Sequence, residues 1–440
     1  MPSPTRFQGP KGTRDFYPDE MALRRHIEAA WRSASVRSGF DEVDGPTFEH
    51  LGLYTVKSGP GIVSELFSFR RAGGEDDYAL RPEFTPTLAR MVAARAAALP
   101  VPVKWFAIPT FFRAERPQRG RLREFQQWNV DVLGLPGPEA DTEVIATAAL
   151  AMESLGLRST DVRVKVSHRG AVTQALAALG VSGEQMPAAL ELLDKSARLD
   201  AAGFERLATE AGLPLESLRR FVEASRLSVP LVGAAAALAG RIGVPPGALA
   251  AMDELATHLA DCGLSEWCEA DLSIVRGLAY YTGTVFEIHE ASGAERAIAG
   301  GGRYDRLVEM FGGPATPAVG LGMGDVVLGL VLQDRNLLPK DCSTLAPGPD
   351  VFILSAQGAD SDRLAVQVAA QLRRAGKHVR RSYRATRNVG KLMSDASKAR
   401  ARSVLILGEE ISAGRVNLKD LQSGTQESLP LADALARLSG

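Results

Sequence analysis

The chain has 440 residues, of which 45% are hydrophobic and 23% are charged, and its formal net charge is -1. This composition is typical of a globular protein and excludes a disordered or fibrous chain, while the length predicts two or three domains. A net charge near zero does not identify a partner, because nucleic-acid binding depends on local basic surfaces.

Cysteine content and the N-terminal sequence indicate where the protein works. Cys262, Cys268 and Cys342 fit neither a four-ligand zinc pattern nor a disulfide framework, so they favour a reducing environment. Residues 1–15 lack the apolar run of a signal peptide. No uninterrupted apolar stretch reaches the roughly 18 residues needed to span a bilayer. We therefore expect a soluble cytoplasmic protein.

The first part of the chain predicts a mixture of helices and strands. A helix is predicted over residues 20–38, where apolar positions recur at helical spacing and Gly39 follows as a stop signal. Further helices are predicted at 85–98 and 138–155. Short apolar or alternating runs, separated by glycine- and proline-containing loops, predict an antiparallel sheet. Its predicted strands are 41–43, 67–69, 78–81, 103–112 and 125–133.

The composition changes near residue 170. From there to residue 262 the chain is rich in alanine and leucine with glycine and proline breaks, which predicts a helical insertion. Strand-like sequence returns at 272–274 and 284–289. A glycine-rich stretch at 299–303 and an apolar helix over 325–332 follow, so the first domain is expected to resume.

The C-terminal part predicts a small α/β domain. Strands are predicted at 351–355, 378–382 and 403–407, with one helix over 361–375 and a second before the last strand. The chain as a whole is therefore predicted to be α+β. The expected boundaries are a first domain in two parts (1–169 and 263–338), an insertion (170–262), a linker (339–349) and a C-terminal domain (350–440).

Two stretches concentrate positive charge. Residues 112–125 contain five arginines beside two glutamates, and this hairpin either holds surface ion pairs or presents guanidinium groups to phosphates. Between residues 371 and 402, eleven Lys and Arg residues stand against Asp395 alone. This basic run is either a solvated helix face or a nucleic-acid surface.

Residues 112–125 resemble motif 2 of the class II aminoacyl-tRNA synthetases, in the form found in histidyl-tRNA synthetases. Three other stretches agree and occur in the right order: 11–18 is similar to the family's opening signature, 80–86 to its amino-acid pocket strand, and 275–287 to its histidine signature. The resemblance extends from residue 9 to the C terminus. Several ordered motifs are more specific than one short pattern.

The resemblance implies an antiparallel-sheet catalytic domain of the class II type, interrupted by the helical insertion, and a C-terminal anticodon-binding domain. Residues 388–398, 404–410 and 414–420 resemble that domain. The basic run is then expected to bind tRNA(His), since clustered Lys and Arg supply much of the affinity for phosphates. Tyr383 is a candidate for stacking on an anticodon base.

The resemblance also implies a histidine pocket. Such a pocket needs acceptors for the ammonium group and a polar partner for each imidazole nitrogen, and it rejects substrates that lack the matching atoms. Without the resemblance, the tyrosine pair 280–281 would be interpreted as core aromatics. Arg276 and Arg113 are the implied catalytic cations. The implied pocket residues are Glu83, Thr85, Arg113, Gln127, Asp131, Arg276, Tyr280 and Tyr281.

ATP is the implied second substrate. The resemblance assigns Arg113 and Arg121 to its phosphates, Glu115 to the adenine or metal side, and Phe125 to stacking under the base. Residues 300–305 resemble the segment before motif 3 and are expected to form a wall of the site. Mg²⁺ is expected with ATP, and its ligands are not identified by the sequence.

Motif 3 departs from the family pattern. Many members carry Glu-Arg-Leu where this chain has Asp-Val-Val at 325–327, and that arginine normally meets the γ-phosphate. Ala279 likewise stands where an aspartate is usual. Another cation is therefore expected to compensate, and Arg303 and Arg119 are the candidates.

Residues 39–48 resemble motif 1, and Pro46 matches the proline that the family places at its dimer interface. The resemblance therefore implies a homodimer, although Pro46 alone would be interpreted as a turn proline.

Two other functions remain open. A histidine-sensing regulatory subunit of ATP phosphoribosyltransferase would explain the altered motif 3, but Arg276, the motif 2 arginines and the C-terminal domain argue against it. An RNA-binding protein without catalysis would leave the histidine pocket unexplained.

Overall fold

The computed structural model describes residues 7–58, 60–196, 199–225, 228–274, 281–293 and 295–440. Contacts divide the chain into two compact units, residues 1–340 and 341–440. Among the described residues, no helix has both the length and the apolar character needed to cross a bilayer.

The larger unit combines a long sheet, a small sheet and surrounding helices. Its strands are β1 (Asp41–Glu42), β2 (Phe48–His50), β3 (Ser68–Arg70), β4 (Asp77–Leu80), β5 (Val103–Ala107), β6 (Thr110–Phe112), β7 (Glu124–Leu133), β8 (Val162–His168), β9 (Val229–Pro230), β10 (Cys268–Ala270), β11 (Thr284–Glu290), β12 (Ala299–Arg303) and β13 (Ala318–Gly324). Its helices are α1 (Pro18–Arg37), α2 (Leu51–Ser58), α3 (Thr85–Arg95), α4 (Pro138–Ser154), α5 (Arg169–Ala178), α6 (Met186–Ser196), α7 (Ala201–Glu210), α8 (Leu215–Ser225), α9 (Ala234–Ile242), α10 (Ala251–Asp261), α11 (Leu307–Met310) and α12 (Asp325–Asp334).

The long sheet has the order β1-β5-β7-β13-β12-β11-β8-β10-β9, and β6 pairs with β7 outside this path. All neighbours from β5 to β8 in this order are antiparallel, which confirms the predicted character of the sheet. β1 and β10 pair parallel to their neighbours β5 and β8. A separate sheet has the order β2-β4-β3.

The core behind the long sheet is filled by α1 and α4. The rings of Trp31, from α1, and Trp128, from β7, stack with centroids 6.1 Å apart. Both indoles remain hydrogen-bonded: Trp31 Nε1 donates to Met323 Sδ at 3.3 Å, and Trp128 Nε1 donates to Ser35 Oγ at 2.9 Å. Buried Trp commonly keeps its N–H paired in this way. These contacts fix the orientation of β7 and β13, which carry much of the site described below.

Two predicted strands differ from the structure. The run 103–112 is divided into β5 and β6, which Pro109 separates, because proline has no N–H for the ladder. The strand predicted at 272–274 is wrong, since β10 ends before it. Asp271 Oδ1 accepts a hydrogen bond from the Ser273 N–H at 3.0 Å, which makes a turn there. The apolar side chains of Leu272 and Ile274 are nevertheless buried.

The predicted helical stretch 170–262 contains α5 to α10 and the short strand β9. Its apolar side chains, among them Phe221 and Leu238, belong to the same buried cluster as Ile27 of α1 and Trp128 of β7. This helical part is therefore packed continuously with the sheet's core, within one compact unit.

The smaller unit is an α/β domain with a sheet in the order β15-β14-β16-β17-β18. β14 pairs in parallel with β15 and β16, and the last three strands are antiparallel. Its elements are β14 (Val351–Ser355), α13 (Ala359–Arg374), β15 (Val379–Arg381), α14 (Val389–Lys398), β16 (Ser403–Leu407), β17 (Arg415–Asp420), β18 (Gln426–Pro430) and α15 (Leu431–Ser439).

Candidate active site

Glycines at every second position of β13 create space beside β7. A Cβ atom at Gly320 would lie 1.9 Å from Asp131 Oδ1, and one at Gly322 would lie 1.9 Å from Gln127 Nε2. Alternate residues of a strand face the same side of the sheet. The glycine strand therefore leaves room for two polar side chains of β7 that any larger residue would displace.

These side chains line a cavity of about 160 Å³. It contains every predicted histidine-pocket residue that the structure describes; Arg276 and Tyr280 lie outside the described residues. Sequence reasoning missed Asn129 and Tyr304, although Tyr304 belongs to the glycine-rich stretch predicted to form a wall. The lining residues are Glu83, Thr85, Arg113, Gln127, Asn129, Asp131, Tyr281, Gly300, Tyr304, Gly320, Leu321 and Gly322.

Asp131 is the most buried charged group of this cavity, with 4% of its surface exposed. The Tyr304 hydroxyl donates a hydrogen bond to Asp131 Oδ1. Burial raises the pKa of the Asp131 carboxyl to about 7, and the hydrogen bond from Tyr304 opposes this rise only in part. The carboxyl therefore titrates close to the ordinary pKa of an imidazole, about 6.5.

A second cavity, of about 280 Å³, adjoins the first. The four residues predicted to bind ATP, Arg113, Glu115, Arg121 and Phe125, all line it. The two cavities share part of their walls, so they lie side by side. The residues lining both are Arg113, Gln127, Tyr281, Gly300 and Gly322.

The arginine hairpin between β6 and β7 forms one side of this second cavity. The Arg113 N–H donates to the Arg123 carbonyl at 2.9 Å, and Gly120, with φ +71°, allows the tight turn. The opening signature braces the hairpin, because the Arg123 N–H donates to the Gly12 carbonyl at 2.8 Å. The signature supports the hairpin from outside the cavity, because none of residues 11–18 is among the lining residues.

Arg113 and Arg121 are held differently. Arg113 Nε donates to the Pro82 carbonyl at 3.0 Å, and its guanidinium carbon lies 5.1 Å from the centre of the Phe125 ring. Arg121 Nη1 donates to Glu115 Oε1 at 3.0 Å. The other oxygen, Glu115 Oε2, is buried and has no hydrogen-bond partner among the described residues. The cavity therefore offers cations to phosphates and a carboxylate oxygen to a further ligand.

The two arginines expected to replace the motif 3 cation are engaged elsewhere. Arg303 is buried and forms an ion pair with Asp141, and its Nη2 donates to the Gly137 carbonyl at 2.7 Å. Arg119 is 65% exposed, and its Nε donates to Glu295 Oε1 at 2.8 Å. Neither is among the described residues that line the second cavity. That expectation is therefore corrected: Arg303 joins β12 to the start of α4, and Arg119 forms surface ion pairs.

Asp325 has a structural role at the start of α12. Its carboxylate accepts from Arg14 Nη2 at 2.6 Å and from the Gln126 N–H at 3.0 Å. It thereby attaches the opening signature and β7 to this helix. Val326 and Val327 follow it and line the second cavity, as does Arg296, which sequence reasoning also missed.

The basic run of the smaller unit surrounds β15 and α14. Arg384 and Arg387 form ion pairs with Asp395 and Asp362. Tyr383 is 76% exposed, with a guanidinium carbon 4.3 Å from its ring centre. The residues lining the shallow cavity at this place are Phe352, Arg373, Val379, Arg380, Arg381, Tyr383, Asp395, Lys398 and Ala399.

The glycine-bearing antiparallel sheet, the arginine hairpin and the two adjoining cavities together define the catalytic domain of a class II aminoacyl-tRNA synthetase. A family model described as "Histidyl-tRNA synthetase" matches residues 12–324, and one described as "Anticodon binding domain" matches residues 350–440. The chain belongs to the histidyl-tRNA synthetase family, whose reaction uses ATP as a substrate.

Full-length relatives agree with this assignment. The chain is 40% identical over 424 residues to "Histidine--tRNA ligase" of Halobacterium salinarum, covering 96% of this chain and 95% of the relative. It is also 40% identical over 435 residues to the protein of the same name from Opitutus terrae, covering 96% of each.

Solved structures confirm the predicted α+β fold. The crystal structure of histidyl-tRNA synthetase from Nostoc sp. PCC 7120 matches with a TM-score of 0.78 at 24% identity, covering 99% of each chain. An "ATP phosphoribosyltransferase regulatory subunit/histidyl-tRNA synthetase" from Bacillus halodurans matches with a TM-score of 0.71 at 24% identity, covering 92% of this chain and 99% of that one. Fold likeness therefore does not separate a synthetase from the sensor alternative.

Proposed function

We propose that the protein is a histidine–tRNA ligase, which activates histidine with ATP and transfers it to the 3′ end of tRNA(His). The observation that carries the proposal is the pair of adjoining cavities with Arg113 in their common wall. One cavity offers hydrogen-bond acceptors that suit histidine, and the other offers arginines that suit phosphates. Their contact brings the carboxylate of one substrate to the α-phosphate of the other.

In this proposal the imidazole lies against Asp131, whose carboxyl Tyr304 orients. Glu83 and Gln127 accept hydrogen bonds from the ammonium group, with Thr85 and the Tyr281 side chain completing the pocket. Buried polar groups of this kind are left without partners by an amino acid that lacks the matching atoms. This penalty is the basis of selectivity for histidine over apolar amino acids of similar size.

ATP lies in the second cavity with its base against Phe125 and its phosphates near Arg121. Arg113 contacts both the histidine carboxylate and the α-phosphate, where negative charge accumulates as the new bond forms. The family resemblance adds Arg276 as a second cation at this point. Preorganised cations lower the barrier because they stabilise charge that develops in the transition state.

Mg²⁺ is part of the proposal because two carboxylates, Glu115 and Glu287, line the ATP cavity. The buried Glu115 Oε2 has no hydrogen-bond partner among the described residues. Mg²⁺ is usually held by one or two carboxylates together with substrate phosphates, so this donor set fits the ion. When bound, it would neutralise charge on the triphosphate.

Transfer requires tRNA, and the basic surface around Tyr383 supports the proposal that the smaller unit binds its anticodon. An exposed aromatic ring can stack on an unpaired base, while the neighbouring arginines contact phosphates.

A cytoplasmic location, inferred from the cysteine content, stays a prediction.

We also propose a homodimer built around the segment that resembles motif 1. The adjacent small sheet exposes aromatic side chains, since Phe48 is 49% exposed and Phe69 is 43% exposed. Their ring centres lie 5.8 Å apart, and the Tyr78 ring lies 5.6 Å from Phe48. Contiguous exposed apolar groups of this kind are typical of protein interfaces. Pro46 lies two residues before Phe48.

The histidine-sensor alternative retains one observation in its favour, which is Val326 at the motif 3 position. A charging assay separates the two functions: purified protein, tRNA(His), ATP and labelled histidine are expected to give acid-precipitable histidyl-tRNA. A protein that bound histidine and stimulated ATP phosphoribosyltransferase, but charged no tRNA, would instead be the sensor.

A further inference from the structure

A third arginine, Arg296, lines the ATP cavity from outside the arginine hairpin. It lies on the connection between β11 and β12 and is exposed. A Cβ atom at Gly120 would lie 3.6 Å from Arg296 Cδ and 3.3 Å from Val327 Cγ2. The aliphatic part of Arg296 therefore lies against the hairpin turn at Gly120, which the first turn of α12 also approaches through Val327.

The first turn of α12 contributes only uncharged groups to the cavity wall. Val326 and Val327 line the cavity, as does Gly324 at the end of β13, while the carboxylate of Asp325 is occupied by Arg14 and a backbone N–H. A triphosphate has several negative charges that must be neutralised when it leaves water. A guanidinium is well suited to this, because it stays charged and donates parallel hydrogen bonds to phosphate oxygens.

The two hairpin arginines do not cover the whole cavity. Arg113 lies in the wall shared with the histidine cavity, and Arg121 is paired with Glu115. Arg296 reaches the cavity beside α12. Its neighbours Gly120 and Val327 line only the ATP cavity, so Arg296 lies away from the wall that the two cavities share. It is therefore suited to the end of ATP that lies farthest from histidine.

An ion pair attaches the connection that carries Arg296 to the hairpin. Arg119 Nε donates to Glu295 Oε1 at 2.8 Å, and the Glu295 side chain is only 6% exposed. Because Glu295 directly precedes Arg296, this contact fixes the backbone from which Arg296 projects. Arg119 is thus a positioning residue rather than a phosphate ligand.

We propose that Arg296 binds the β- and γ-phosphates of ATP and replaces the cation that the family resemblance assigns to the position of Val326. The inference rests on the proposed ligase function. In the activation step a histidine carboxylate oxygen forms a bond to the α-phosphorus, and the bond from that phosphorus to the bridging oxygen of the β-phosphate breaks. Pyrophosphate leaves with the electron pair, and Arg296 stays paired with it.

The test uses the full-length protein in histidine-dependent exchange of labelled pyrophosphate into ATP. Arg296→Ala is expected to raise KM for ATP about tenfold or more, as loss of a hydrogen bond to a charged group does, with KM for histidine changed less than about twofold. Arg296→Lys keeps the charge, and its KM for ATP is expected to lie between those of the wild-type protein and Arg296→Ala. The double variant Arg296→Ala/Val326→Arg is expected to recover part of the ATP affinity. Arg219→Ala, an exposed ion-paired arginine on α8, is the matched control.

A second measurement separates a phosphate contact from a structural role. Affinity for a non-hydrolysable sulfamoyl analogue of histidyl-adenylate, which lacks the β- and γ-phosphates, is expected to be unchanged in Arg296→Ala. An unchanged KM for ATP, or an equal loss of affinity for ATP and for the analogue, would overturn the inference. If the wild-type protein showed no histidine-dependent exchange, the ligase function itself would be wrong.

Discussion

Replacing Asp131 with asparagine is expected to stabilise the free protein at alkaline pH while impairing its use of histidine. The pKa of this buried carboxyl is about 7, against an ordinary 3.8. Since the folded state holds the proton more tightly, the free energy of unfolding falls as the pH rises from about 4 to 7 and levels off above that range. Each pH unit corresponds to 1.36 kcal/mol, so the ionised carboxylate costs about 4 kcal/mol at pH 8.5. Asparagine, which is neutral at every pH, does not have this cost.

Urea unfolding of both proteins at pH 8.5 and pH 5 measures the effect. The variant is expected to be more stable than the wild-type protein by about 4 kcal/mol at pH 8.5 and by about 2 kcal/mol at pH 5. The difference is smaller at pH 5 because the Asp131 carboxyl of the folded wild-type protein is mostly protonated there. Asp253→Asn, at an exposed position of α10, is the control. The same variant should lose at least about tenfold in kcat/KM for histidine, because a charge-assisted hydrogen bond is replaced by a weaker one. A stability difference that did not depend on pH, or a variant less stable at pH 8.5, would contradict the raised pKa of the Asp131 carboxyl.

Three further changes test the roles of the smaller unit, Arg303 and Arg276. Truncation after Pro339 removes the smaller unit and should abolish tRNA charging while histidine-dependent exchange persists; normal charging by the truncated protein would contradict the anticodon assignment. Arg303→Ala should lower the free energy of unfolding by about 3 to 5 kcal/mol, because Asp141 is left buried without its counter-ion. Its KM for ATP should change little, and the opposite pattern would restore Arg303 as a phosphate ligand. Arg276→Ala should slow adenylate formation by on the order of a hundredfold in single-turnover kinetics without earlier thermal unfolding; an early-melting variant with a wild-type rate would argue for a structural role.

The ordered motifs predicted which residues line the site. The local sequence pattern did not predict the contacts that hold those residues in place. Glu83, Asp131 and Tyr281 come from distant parts of the chain, and the structure places them around one cavity as the resemblance implied. Their catalytic and binding roles stay predictions. The glycines of β13 belong to a recognisable motif. They are needed because Asp131 and Gln127 occupy the space beside them, and this follows only from the pairing of β13 with β7.

The remaining features depend on contacts between distant parts of the chain. Arg303 follows a glycine-rich stretch and was predicted as a possible phosphate ligand, yet it pairs with Asp141, 162 residues away. Arg296 has no motif of its own. It lines the cavity only because the hairpin contacts the β11–β12 connection, through a hydrogen bond from Arg119 to a glutamate 176 residues further along the chain. A contact between such distant residues cannot be predicted from local periodicity.

The cavity around Asp131 is proposed to select histidine for activation by ATP in the adjoining cavity. The decisive measurement is exchange of labelled pyrophosphate into ATP, made in parallel with histidine and with each of the other standard amino acids. Exchange is expected with histidine alone. Absence of exchange with histidine, or equal exchange with glutamine or asparagine, would contradict it.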